Sequence, residues 1–352
     1  MAYGLRKLGH EIIGNVNFWK LQDGSWLVPQ AQSDEFDIAL VDWRFAYHCR
    51  PWVWNSRFRD VPTILFDRSA GVPLAHSWLR DGWLDRVTLI LRSDSISLEP
   101  RFKNVRPWPI GIIPEVMSSI EQTFARANHS EARIWQSFRV DHSIRSDYSR
   151  ELRGSKNQRQ IEIDQEVVVD ATRNPVQEML HLATSGRFNS AYHEKLNTSP
   201  YTLSIGGYWE FKPFAYQRTQ GPYRSNSVYS LPVRARKKWH RLLDGLGNTN
   251  TNDHRFIVQW DSFRLWEALY SNTVPIMLDF DYWGLELPTL PEENKHYLGI
   301  KAFDAEELIE RIQIISPIDR RAMAKAGRDF IKQNYSPEVQ AERALSYLRD
   351  LT

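Results

Sequence analysis

The sequence predicts an α/β protein of two domains built on parallel sheets, and three observations carry that prediction. Short apolar runs such as Phe36–Asp42, Val61–Asp67 and Val87–Arg92 are continuous rather than alternating, the pattern of strands covered on both faces. Helix-like and polar stretches separate them, the order of a doubly wound sheet. The chain has 352 residues, 42% hydrophobic and 25% charged. At about 100–200 residues per domain that is material for two sizeable cores.

Tyr3–His10 reads as the end of an amphipathic helix stopped by Gly9. Glu11–Gly14 reads as a short strand, followed by the three continuous runs. Val105–Pro114 holds three prolines and a glycine, so it is expected to be extended and irregular, approaching a domain linker. A helical stretch after Ser118 leads to Ala132–Phe138, a strand opening the second domain. Arg145–Arg159 and Arg234–Lys238 are basic runs expected on solvated faces or loops. Glu166–Asp170 and Tyr201–Ile205 are further strands. Residues 207–254 form a long aromatic and basic insertion. Phe256–Val258 is a strand, Asp261–Tyr270 a helix capped by Asp261 or Ser262, and Val274–Leu278 the next strand. The end is helical: Ala305–Ile314, Arg320–Asn334 and Pro337–Leu351.

Composition narrows the classes. The chain carries 45 Lys+Arg against 43 Asp+Glu, a formal net charge of +2, which gives no reason for a nucleic-acid partner. The single cysteine, Cys49, leaves no intrachain disulfide and no cysteine zinc cluster. No apolar run reaches the ~18 residues of a membrane span. Met1–His10 lacks the apolar region of a signal peptide, so a cytoplasmic protein is expected, with peripheral association at a membrane surface left open. Its 14 Trp and 14 Tyr suit sugar rings, although most such residues belong to cores.

The segment most suited to chemistry is Gln259–Leu269, running on to Val274–Pro275–Ile276. It places a short helix between two strands, where doubly wound folds bind nucleotides. The start of that helix, Ser262 and Phe263, offers N–H groups and a positive dipole end to a phosphate. Arg264, in the first turn, can add a bidentate contact. Glu267, one turn on, can accept from both hydroxyls of a ribose. The plain alternative is a surface helix with an Arg/Glu i, i+3 pair. Asp279–Phe280–Asp281 has metal-binding spacing but is read as a loop beside the pocket, and no metal ligand is assigned.

Ser262-Phe263-Arg264-Leu265-Trp266-Glu267-Ala268-Leu269, followed by Val274-Pro275-Ile276, resembles the donor-site segment of GT-B fold glycosyltransferases, in particular the exostosin-like and group 1 families. Leu5-Arg6-Lys7-Leu8-Gly9-His10-Glu11-Ile12, Ser199-Pro200-Tyr201-Thr202-Leu203-Ser204 and Asn334-Tyr335-Ser336-Pro337 resemble other segments of those enzymes. The resemblance implies two Rossmann-like doubly wound domains facing each other across a cleft. Residues 1–125 would bind the acceptor, with the family's first strand and its Gly-rich loop missing from the pattern. Residues 126–336 would bind the nucleotide-sugar donor, and 337–352 would form a helix crossing back to the first domain. It implies transfer of a sugar from a nucleotide-diphosphate sugar to a glycan or other hydroxyl acceptor, with no metal and no further cofactor.

In that frame Glu267 holds the ribose. Arg264, with Arg139 or Arg145, neutralises the leaving diphosphate. Gln259 stands where a related signature has its first glutamate, so retention or inversion stays open. Asp67 and His76 stand at or after strand ends as acceptor-side bases, with Asp42 a further choice. Trp43, Trp52, Trp54 and Trp78 are available to stack on a sugar. The rival readings are a sugar-nucleotide epimerase of the same fold and a glycan- or partner-binding protein without catalysis.

Overall fold

A computed structural model describes residues 1–21, 23–31, 35–42, 61–68, 87–97, 102–124, 133–138, 143–155, 161–166, 178, 188–207, 209–211, 255–257, 259–301 and 305–352. The protein is mixed α/β with two parallel sheets. The chain opens with α1 (Ala2–Lys7), ended where Gly9 takes φ 89°. The expected strand over Glu11–Gly14 does not form: its two isoleucines stay half-exposed, and Gly14 makes only an isolated bridge to Gln30. Instead β1 (Phe18–Lys20) and β2 (Trp26–Val28) form an antiparallel hairpin. Its turn uses Gly24 at φ 85°, with Asp23 accepting the Ser25 N–H.

The first parallel sheet follows in the order β3 (Ala39–Asp42), β4 (Thr63–Asp67), β5 (Leu89–Arg92) and β6 (Val105–Pro107). The central strands β4 and β5 are almost wholly buried, as continuous apolar runs require. The edge strand β3 alternates buried and exposed residues. The segment expected to be irregular therefore begins as a strand. It sits at the other edge of the sheet, where Pro107 need not donate to a ladder. Pro114, expected to interrupt structure, starts α2 (Pro114–Glu121), because a first-turn position needs no N–H.

After α2 come β7 (Arg133–Gln136), α3 (Ser143–Gly154), β8 (Glu162–Gln165), α4 (Ser190–Thr198), β9 (Tyr201–Leu203), β10 (Trp209–Phe211), β11 (Arg255–Ile257), α5 (Phe263–Tyr270), β12 (Val274–Leu278), α6 (Phe280–Trp283), β13 (Leu298–Ile300), α7 (Ala305–Ile314), α8 (Pro317–Tyr335) and α9 (Pro337–Arg349). The second parallel sheet has the order β13-β12-β9-β7-β8. Two expectations are corrected here, at β11 and at Asp279. Arg145 stands in the first turn of the helix α3. β8 ends at Gln165, and residues 167–170 of the strand expected at Glu166–Asp170 lie outside the described ones. The strand expected at Phe256–Val258 is β11, and it pairs antiparallel with β10 instead of joining the parallel sheet. The reason is positional: β12 already occupies the edge of β9, so the two arms of the insertion meet each other. Asp279–Asp281 enters a one-turn helix, α6, because the Asp279 carboxylate accepts the Tyr282 N–H.

The main core surrounds the second sheet, with Trp135, Trp266, Tyr270 and Ile276 at its centre. A smaller one joins Ile64, Leu89, Leu91 and Trp108 to Ala344 and Leu348 of α9, so the last helix packs on the first sheet. Burying Leu348 alone is worth about 1.5–3 kcal/mol. Helix α1 lies against α9 so closely that a Cβ at Gly4 would overlap the Pro337 carbonyl. Among the described residues no helix is long and apolar enough to cross a membrane.

The two sheets touch through the loop after β5. Ser97 donates its N–H to Gly284, Glu286 donates to Ser95, and Ile96 bridges Leu285. Asp94, in the left-handed region at φ 58°, accepts the backbone N–H groups of Trp260 and Asp261 at 2.8 and 2.7 Å.

Candidate functional site

The strand order of the second sheet decides where a crevice opens. The chain starts at β7, adds β8 on one side, then crosses to add β9, β12 and β13 on the other. Winding reverses between β7 and β9, and the loops leaving their carboxyl ends diverge there. Arg145, in the first turn of α3, spans this point. Its Nε donates to the Ile205 carbonyl just past β9 at 3.0 Å, and its guanidinium lies 5.1 Å from the Phe138 ring just past β7.

Gly206 and Gly207 then let the returning chain approach. A Cβ at either would overlap the carbonyl of Trp260 or Gln259, and Gly207 takes φ 39°. This contact sets the start of α5 beside the end of β9. Gln259 is half-buried there. Ser262 is the N-cap residue, with extended backbone, but its side chain makes no capping bond. The first N–H groups of α5 are thus not claimed by that side chain. Ser262 Oγ is shielded from solvent and has no hydrogen-bond partner among the described residues. The same holds for Ser204 Oγ and Trp135 Nε1, in residues 1% and 0% exposed. Trp135 pairs with Thr202 across the sheet and packs its ring on Tyr192 of α4 at 5.2 Å. Ser204, two residues beyond Thr202, faces the same side.

On that side Arg264 lies 5.9 Å from the Tyr192 ring. Glu267 is only 7% exposed. The Tyr192 phenol is held well above its ordinary range, first by burial and next by the Glu267 charge, with Arg264 opposing. A tyrosine, an arginine and a glutamate therefore meet beside the start of α5. The remaining face of α5 supplies the core with Leu265, Trp266, Ala268 and Leu269. Phe263 lies under the guanidinium of Arg68 at 5.4 Å, a residue that follows β4 of the first sheet.

The sequence-predicted residues thus divide. Arg145, Gln259, Ser262, Phe263, Arg264 and Glu267 come together at the carboxyl end of the second sheet. Asp67 does not stand open as an acceptor-side base. Its carboxylate pairs with Arg92 at 3.0 Å, and both side chains are essentially without solvent exposure. Asp42 is exposed at the end of β3. His76, Arg139, Trp43, Trp52, Trp54, Trp78, Cys49 and the run Arg234–Lys238 lie outside the described residues. Asp279 is buried, and burial raises its carboxyl above the usual range, Glu293 adding to the shift. Among the described residues no group of three or more His, Cys, Asp or Glu side chains stands together to hold a metal.

Tyr192, Trp135 and Asp94 carry no motif, and sequence reasoning passed over them. Ser204 had a signal, as the last residue of the segment Ser199–Ser204. No protein-family model matches the chain, and no curated protein matches it.

Proposed function

We propose that the protein is a glycosyltransferase of the GT-B type, two Rossmann-like domains facing across a cleft, which moves a sugar from a nucleotide-diphosphate sugar to a hydroxyl acceptor without a metal. The observation that carries this reading is the convergence of Arg145, the start of α5, Arg264 and Glu267 at the winding reversal of one parallel sheet. A diphosphate seated there would meet backbone N–H groups and two guanidinium groups. Glu267, fixed one turn further along, is placed to accept from a ribose.

In the transfer, the bond from the anomeric carbon to the diphosphate oxygen breaks, its electron pair leaving with that oxygen, while an acceptor hydroxyl oxygen bonds to the carbon and gives up its proton to the released diphosphate. Negative charge grows on the leaving diphosphate. Arginines held in fixed positions stabilise it more than they stabilise the ground state, which lowers the barrier. The acceptor would approach from the first sheet, on the side of Arg68.

The test is a thermal-shift screen against UDP, GDP, ADP, TDP and CMP compounds. A nucleotide present at 100-fold its Kd adds about 2.7 kcal/mol of stability. Absence of any shift at millimolar nucleotide would retire the reading in favour of a binding protein. Hydrolysis of a nucleotide sugar without acceptor would favour an epimerase.

A further inference from the structure

We propose that Asp94 and Asp261 form a proton-operated latch that holds the loop after β5 onto the entrance of α5 and loosens as Asp261 loses its proton. The two carboxylates come from the turn after β5 and the loop between β11 and α5, and are 4% and 3% exposed. Each ties down the other's surroundings. Asp94 accepts the N–H groups of Trp260 and Asp261. Asp261 accepts the N–H of Ile110, past β6, at 2.5 Å and the indole N–H of Trp266, on α5, at 2.6 Å. Four hydrogen bonds and two buried acids therefore sit where the sheets touch. Asp94 holds a left-handed backbone that a non-glycine residue rarely adopts, and such strain persists only where the surroundings enforce it.

Two negative charges in so dry a place repel, so the closed latch favours keeping one proton. Burial and the Asp94 charge push Asp261 up to about 7. The groups acting against this are the Trp266 and Ile110 hydrogen bonds and the Arg68 charge. Tyr335 of α8 also faces the pair, and its phenol is raised in part by Asp261. The Arg92–Asp67 ion pair lies two residues before Asp94 and brings no net charge.

The sign follows from linkage. The closed form holds the proton more tightly than an opened form, whose acid would ionise near 4. Opening therefore becomes easier as pH rises from about 5 to about 7, by up to tenfold per unit, and levels off above. Opening would free the loop just before α5, and with it the register of Arg264 and Glu267. The latch itself does not depend on the glycosyltransferase reading.

The test is amide hydrogen exchange on the full chain without nucleotide, corrected for the intrinsic pH effect. Protection of the Ile110, Trp260 and Asp261 amides should fall by roughly tenfold to a hundredfold between pH 5 and 7, while the amides of β12 hold. Asp261→Asn should abolish the fall. Asp94→Asn keeps an acceptor oxygen but removes the repelling charge, so the fall should shrink and end at lower pH. If one variant does not fold, the other decides the matter. Protection flat between pH 5 and 7, an equal fall in β12, or an unchanged fall in a folded variant would overturn the latch.

Discussion

Replacing Asp67 by Asn should lower stability by about 3–5 kcal/mol, the range for removing one charge of a buried ion pair. The magnitude rests on the surroundings. Arg92 Nη1 lies 3.0 Å from Asp67 Oδ2, with side-chain exposures of 1% and 0%. A guanidinium cannot shed its proton in a protein, so Arg92 would stay charged where no water reaches it. Asn matches Asp in size and keeps one acceptor oxygen, so packing contributes little to the loss. At about 1.36 kcal/mol per factor of ten, the folded-to-unfolded ratio should fall more than a hundredfold. Urea unfolding, followed by tryptophan fluorescence and circular dichroism, measures it. Asp67→Leu combined with Arg92→Met should recover part of the loss, because the second change removes the buried guanidinium as well. A loss under about 1 kcal/mol for Asp67→Asn, at unchanged denaturant slope, would refute a structural role and return Asp67 to the acceptor side of the site.

Three further outcomes are expected. Arg264→Lys keeps the charge but loses the planar fork, so nucleotide-diphosphate affinity should drop clearly, and further for Arg264→Ala, while binding persists in excess EDTA. Binding that EDTA abolishes and manganese restores would contradict this. Glu267→Gln should weaken nucleotide binding by roughly 10-fold to 100-fold with folding retained, checked by calorimetry beside a melting curve; unchanged affinity would take Glu267 out of the site. Gly206→Ala drives a methyl into the Trp260 carbonyl and should destabilise by about 1–3 kcal/mol, read by urea titration. A neutral result there would mean that the start of α5 is not held against β9 as described.

Local pattern was enough for the strands β4, β5, β7, β9 and β12 and for the final helices, because their apolar runs and caps specify themselves. It misled where neighbours decide. Glu11–Gly14 has a strand's composition but, among the described residues, no partner beyond one bridge. Phe256–Val258 was expected to add to the parallel sheet, yet β9 had no free edge to offer. Pro107 and Pro114 read as breaks, and became an edge strand and a helix start, positions at which a missing N–H costs nothing.

The candidate site shows the same division. Arg264 and Glu267 are one turn apart on a short helix, so their proximity follows from the sequence through helical geometry alone. Arg145 stands more than a hundred residues earlier, and only the strand order brings it to the crevice. Asp67 looked like many strand-end acids, until tertiary packing set Arg92 against it and removed both from solvent. Asp94 carries no signal in the sequence and Asp261 reads there only as a helix cap, and their pairing exists because two sheets meet. What the sequence alone determined was which segments become strands and helices, since that depends on neighbours along the chain. Which charges stay open, which are paired and which are pushed toward the neutral form depends on desolvation and on contacts between distant segments, and the tertiary structure decided it.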